Sequence, residues 1–278
     1  MPGPAARRGA LLEFHTGIGA MNLFVLLKAI PDTVEELTVG ADGKSLDAQW
    51  LRFKLSDADE HALEQALLLK EQHGGKLTVM ALETPELDEA LFMALAKGAD
   101  RVVKLAGDLA SAPSALAAEL FERSLRSEGD PLPPDTLILV RGQAADDLEG
   151  EIGPFLADRL GLPYVCVVTG VRPEGSAVKV TKEFSGGLRG EFALPLPAVL
   201  GIQSAEKPPR YVPIAKVRAA MKSAQIESVE VTPPEAPSPF PLERMYKPEV
   251  AGRAQMLEGT PEEVADRLVQ VLAEQSLI

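Results

Sequence analysis

Asn22-Leu23-Phe24-Val25-Leu26-Leu27-Lys28-Ala29-Ile30 is an apolar run with no alternating polar face, closed by Pro31-Asp32. A strand on a half-solvated sheet alternates polar and apolar residues. A run of this kind reads as a strand buried on both faces, the mark of a parallel sheet covered by helices. Strands follow at Leu77 to Leu82, at Arg101 to Leu105, and at Leu137 to Val140, which again has no polar face. Helical segments lie between them. Ser56 caps the first, with Asp57, Asp59 and Glu60 in its positive first turn, and Gly74-Gly75 stops it. Pro85 to Lys97 is the second, with Gly98 at its C-terminal cap. Pro113 to Leu125 is the third and Asp147 to Leu160 the fourth. Four alternations of strand and helix predict a right-handed, doubly wound, mostly parallel sheet of the Rossmann-like kind. Such a sheet binds ligands beyond the carboxyl ends of its strands, at the switch point.

Away from this core the texture changes. Ala41-Asp42-Gly43-Lys44 reads as a tight turn between two short extended pieces, and Val165 to Glu183 as an antiparallel hairpin about Pro173-Glu174-Gly175-Ser176. Ala198 to Ile202 reads as a short apolar strand. From Ser204 to about Glu249 the chain is Pro-rich, with a helical patch near Ile214 to Met221. A stretch this long inside a compact domain is unusual, so it reads as an arm that packs on another chain. Thr260-Pro261-Glu262-Glu263 caps a last helix to about Glu274, with Val264, Leu268, Val271 and Leu272 as its apolar stripe. The expected organisation is an extension or misassigned start over 1–20, an α/β domain over 21–203, and a C-terminal arm over 204–278.

Composition narrows the function classes. The 278 residues carry a formal net charge of −13, which opposes nucleic-acid binding and docking on anionic lipid. No apolar run is long enough to span a bilayer. The expected location is the cytoplasm. Cys166 is the only cysteine, so an intrachain disulfide or cysteine zinc cluster is excluded; between Val165 and Val167 it reads as a small core residue. The three histidines, His15, His61 and His73, lack metal-ligand spacing. A Gly-x-x-x-x-Gly-Lys phosphate loop, a Gly-x-Gly-x-x-Gly turn and a Gly-x-Ser-x-Gly elbow are absent, which argues against an independent hydrolase or ligase. Arg141 to Pro154, just past the fourth strand, is the most unusual segment. It reads either as an acidic loop with a helix cap or as a turn whose amides hold a phosphate.

Several stretches resemble the electron transfer flavoprotein beta subunit family, in order along nearly the whole chain after Met21. They are Val25 to Asp32 (Val-Leu-Leu-Lys-Ala-Ile-Pro-Asp), Asp59 to Glu64, Ala94 to Arg101 (Ala-Leu-Ala-Lys-Gly-Ala-Asp-Arg), Gly142-Gln143-Ala144, Gly153-Pro154, Gly186-Gly187-Leu188, Leu196 to Val199 and Pro209-Arg210-Tyr211. The resemblance implies an electron carrier subunit without catalytic residues of its own. Its partner would be an alpha subunit holding most of the FAD. Dehydrogenases would deliver electrons and a quinone-linked acceptor would take them. It implies a nucleotide, AMP or a second FAD, at the strand ends, near Leu26, Lys28, Ser56, Leu82, Gln143, Asp146, Gly150, Glu151 and Ile152. It also implies a dehydrogenase-docking loop opened by Pro209, Arg210 and Tyr211, with Ile214 at the apolar anchor position.

The chain departs from the family pattern where that nucleotide would sit. Ser56-Asp57-Ala58 replaces Asn-Pro-Phe/Tyr, Leu26 an Ala, Leu82-Glu83 a small pair, Gly150 a small or amide residue, and Glu151 a Gln. Glu83, Asp146, Asp147, Glu149 and Glu151 would surround an anionic phosphate. Each like-charge pair is worth about 1–4 kcal/mol of repulsion, against about 1–2 kcal/mol from a helix N-terminus. The other reading is therefore a nucleotide-fold binding module that has lost AMP binding and redox function.

Overall fold

The structure, a computed structural model, describes residues 20–47, 49, 51–110, 112–143, 145–146, 151–233, 242–248, 254 and 256–278. The expected extension over 1–20 lies almost wholly outside the described residues. In chain order the elements are β1 (Met21–Leu27), β2 (Ile30–Pro31), β3 (Phe53–Lys54), α1 (Asp57–His73), β4 (Gly75–Leu82), α2 (Leu87–Lys97), β5 (Arg101–Ala106), α3 (Ser114–Glu128) and β6 (Thr136–Arg141). They continue as α4 (Ile152–Leu160), β7 (Tyr164–Glu174), β8 (Ala177–Glu183), β9 (Arg189–Pro195), β10 (Ala198–Ile202), α5 (Ile214–Ser223), β11 (Glu227–Glu230) and α6 (Pro261–Glu274).

Nine strands form the main sheet in the order β11-β5-β4-β1-β6-β10-β7-β8-β9. Pairing is parallel from β11 through β7 and antiparallel through β8 and β9. The apolar run over 22–30 explains itself in three layers. Leu23, Val25 and Leu27 enter one core with Leu63, Leu67 and Leu91 of α1 and α2. Phe24 and Leu26 enter the opposite core with Phe121 of α3 and Leu156 of α4. With helices on both faces, every second residue still needs to be apolar on each side, so the whole strand is.

Helix ends follow local chemistry. Ser56 and Asp59 form a reciprocal capping box on α1, and Thr260 and Glu263 form another on α6. After α1 the chain turns into β4 at Gly75, where φ is +110° and an added Cβ would lie 2.0 Å from the Met21 carbonyl oxygen. Only glycine lets β4 start so close to β1.

Two features extend the expected outline. Beyond the expected hairpin, β9 adds a third antiparallel strand that Gly186-Gly187 only introduces. And past residue 203, α5 packs on α2, and β11 pairs in parallel with β5 at the sheet edge. The Arg101 guanidinium fixes β11 by donating to both carboxylate oxygens of Glu227 at 2.8 Å. Backbone pairing at an edge needs no apolar pattern, so residues 227–230, all exposed, carry no strand signal. Farther on, Met245 N–H donates to the Gly43 carbonyl at 2.7 Å, which lays that extended piece along the turn after Val39. The α6 helix is capped, yet its stripe stays open, with Leu268 48% exposed and Val264, Val271 and Leu272 only half-buried.

Candidate functional site at the strand carboxyl ends

The chain runs from β1 outward to β4 and β5, then returns to β6 on the other side of β1. The switch point is therefore the crevice past Leu27 and Arg141. Among the described residues four charged side chains meet there. Arg141, the last residue of β6, is 1% exposed. A guanidinium cannot shed its charge, so burial obliges it to find acceptors. It donates through Nη1 to the Lys28 carbonyl oxygen at 2.7 Å and through Nη2 to Asp146 Oδ1 at 2.8 Å. The same Nη1 lies 3.5 Å from Asp59 Oδ2. Lys28, itself buried, pairs with Asp146 Oδ2.

Asp59 is fully buried. Its Oδ2 accepts from Ser56 Oγ at 2.7 Å and from Ser56 N–H at 3.2 Å, while Ser56 Oγ accepts from Asp59 N–H at 3.1 Å. Its Oδ1 is buried without a hydrogen-bond partner. Burial pushes the Asp59 carboxyl above the usual carboxylate range, against the opposing pull of Arg141 and Ser56. One arginine thus joins the end of β1, the cap of α1 and the loop after β6.

Of the site residues named from sequence, the structure gathers Lys28, Ser56 and Asp146 here. Gln143 is exposed beside them. The side chains of Leu26, Leu82 and Ile152 lie in the core against α3 and α4. Glu151 precedes α4 and makes no capping bond to it. Gly150, with Asp147 and Glu149, lies outside the described residues. Glu83 is turned toward β5, accepting from Gly107 N–H at 2.9 Å and lying 3.4 Å from Lys104. Sequence reasoning passed over Arg141 and Asp59 as site residues. The available signal was an arginine ending a strand with no polar face, which is rarely buried without carboxylates.

These side chains do not fit a nucleotide phosphate as they stand. Both cations at the crevice, Lys28 and Arg141, already share Asp146. Glu151 adds a carboxylate at the start of α4, where an anion would need bare amides.

The residues named for docking lie on the α1–α2 side. Ala205 N–H donates to His61 Nδ1 at 3.2 Å, Glu206 N–H to Gln65 Oε1 at 3.0 Å, and Arg210 N–H to Glu64 Oε2 at 3.0 Å. The Arg210 guanidinium grips Glu64 through Nε at 3.0 Å and Nη2 at 2.8 Å, and also pairs with Glu71. Beyond this brace Tyr211 is 83% and Ile214 65% exposed, whereas Val217 turns inward. Pro209 lies half-buried beside Arg210.

Fold and crevice together define a doubly wound α/β subunit of the nucleotide-binding kind, with an ion-paired switch point and a braced, outward-facing apolar segment. A family model described as "Electron transfer flavoprotein domain" matches residues 46–234. The electron transfer flavoprotein subunit beta of Methylophilus methylotrophus is 28% identical over 91% of this chain and 98% of its own length. That of Syntrophomonas wolfei is 35% identical over 73% of this chain and 78% of its own. The acryloyl-CoA reductase electron transfer subunit gamma of Anaerotignum propionicum is 25% identical over 93% of this chain and all of its own. The chain belongs to the electron transfer flavoprotein family, on the beta-subunit side. A binding module stripped of any redox role is not favoured. Among the described residues no helix is long and apolar enough to cross a membrane.

Proposed function

We propose that this beta subunit works in the cytoplasm as one half of a heterodimer, with an alpha-type subunit that holds the FAD. It presents residues 209–221 to partner dehydrogenases, and a quinone-linked acceptor takes the electrons onward. The observation that carries this is the exposure of Tyr211 and Ile214 on a segment braced by Arg210, Glu64 and Glu71. Exposed apolar residues on a fixed backbone give a partner an anchor at little ordering cost. A second support is α6, whose capped but uncovered stripe needs another chain to bury it.

FAD supplies the redox chemistry when bound. The chain's own crevice does not suit its phosphates, so the flavin goes with the alpha-type partner. This chain's part is to shape and orient. Lys28, Asp59, Arg141 and Asp146 at the switch point are tied into ion pairs, and no acid, base or nucleophile is assigned to them.

The test is co-expression with an alpha-type partner, followed by an absorbance spectrum of the purified complex and reduction by a candidate dehydrogenase. A flavin-bearing heterodimer in which Ile214→Ala slows reduction while leaving the flavin spectrum unchanged is the expected result. A complex without flavin would overturn the reading.

A further inference from the structure

We propose that the switch-point crevice of this subunit is filled from within. The Lys28–Asp146–Arg141–Asp59 cluster occupies the charge position a phosphate would take, and the chain folds and pairs without a nucleotide of its own. This rests on the family reading above, but a separate measurement decides it.

The topology calls for a ligand at the β1/β6 switch point, and ligands of this fold are held there by cations or free amides. Here both cations are directed at one carboxylate of the chain itself. Asp146 accepts from Arg141 Nη2 at 2.8 Å through Oδ1 and pairs with Lys28 through Oδ2, so both its oxygens are engaged. Its side chain is 14% exposed, and those of Lys28 and Arg141 are 7% and 1% exposed. Asp59 stands behind Arg141 at 3.5 Å. Among the described residues two cations face two carboxylates, and a phosphate reaching both cations would have to displace Asp146. Arg141 also holds the Lys28 carbonyl, so the end of β1 and the loop after β6 are joined directly. A bound nucleotide joins the same segments in a fold of this kind. The cluster provides that link internally.

The experiment uses the purified heterodimer. Denaturation and chromatography of the released nucleotides should yield FAD and no AMP, ADP or second FAD. Added AMP should leave the melting temperature unchanged, because a ligand that binds only the folded state would raise it. Stoichiometric AMP or a second FAD, or a melting temperature rising with AMP, would overturn the proposal. The variants Asp146→Ala and Asp146→Asn remove the negative charge that Lys28 and Arg141 share. Each should acquire a melting temperature that rises with AMP or inorganic phosphate, and the isosteric Asn variant serves if Ala fails to fold. If a folded Asp146 variant gains no response to either anion, the cluster is not a phosphate surrogate and the proposal fails. Loss of FAD or of the heterodimer would instead refute the carrier reading, so the two failures are distinct.

Discussion

The Arg141 guanidinium donates to the main-chain carbonyl of Lys28 at 2.7 Å, fastening the carboxyl end of β6 to that of β1. These are the two strands between which the chain reverses its winding order. Arg141→Met would leave the buried Asp59 without its cation and Asp146 with Lys28. Unpairing a buried charge costs about 3–5 kcal/mol. Urea denaturation should show that loss, with Arg141→Lys recovering only part of it, because an ammonium cannot serve three acceptors in one plane. A loss within about 0.5 kcal/mol, the range of a surface substitution, would contradict a structural role for the cluster.

Asp59 should give stability a distinctive pH dependence. Burial, the largest influence, raises its carboxyl above the ordinary range. The folded state therefore takes up this proton more readily than the unfolded chain. The contribution is fully present below about pH 4 and is lost as pH rises through the folded value. Glu71 and Glu227, lowered by Arg210 and Arg101, act with the opposite sign: their contribution is present above the carboxylate range and lost as pH falls. Asp59→Asn should flatten the decline above pH 4 while leaving the loss at acid pH. Identical pH profiles for the two proteins would show that Asp59 is not the group responsible.

Glu64 braces the docking segment from α1. Its side chain is 3% exposed and that of Arg210 28% exposed, whereas Glu71 is 56% exposed. Glu64→Gln should therefore cost about 1.5–3 kcal/mol and Glu71→Gln less than about 1 kcal/mol. Hydrogen exchange should quicken at the amides of Ala205, Glu206 and Arg210 in the Glu64 variant, with the β1 amides unchanged. Uniform protection across both regions would mean that the brace does not hold the segment.

Ile214 and Tyr211 are exposed, so their removal should leave stability within about 0.5 kcal/mol of the parent. Partner affinity should fall instead, by about 2 kcal/mol or more for a buried anchor. Steady-state reduction by a dehydrogenase at varied carrier concentration separates the outcomes. A raised KM with kcat retained is expected, and an unchanged KM would move the docking surface elsewhere.

The last helix depends on Thr260, whose hydroxyl accepts from Glu263 N–H at 3.4 Å. Thr260→Ala should weaken the helix by about 1 kcal/mol. Leu268→Glu should leave this chain's own core intact and weaken its pairing with the alpha-type subunit, as read by size-exclusion chromatography on dilution. An undiminished heterodimer would show that α6 lies off the interface.

Much of this protein is decided locally. The apolar runs at 22–30 and 137–140 declare strands covered on both faces, because no one-sided sheet tolerates them. Ser56 with Asp59 and Thr260 with Glu263 mark helix starts, since a side-chain oxygen three residues from an orphan amide can reach it whatever surrounds the helix. Other features exist only once the chain is folded. The strand Glu227–Glu230 is all exposed and is a strand because β5 offers it an edge. Arg141 and Asp146 are near in sequence, but Lys28 and Asp59 come to them from other elements, across a sheet whose order reverses at that point. Secondary structure and its layering follow from periodicity and short-range bonding, which adjacent residues carry. Whether a charged side chain becomes a ligand, a brace or a buried partner depends on which strand ends the topology sets side by side, and on how much water that leaves between them.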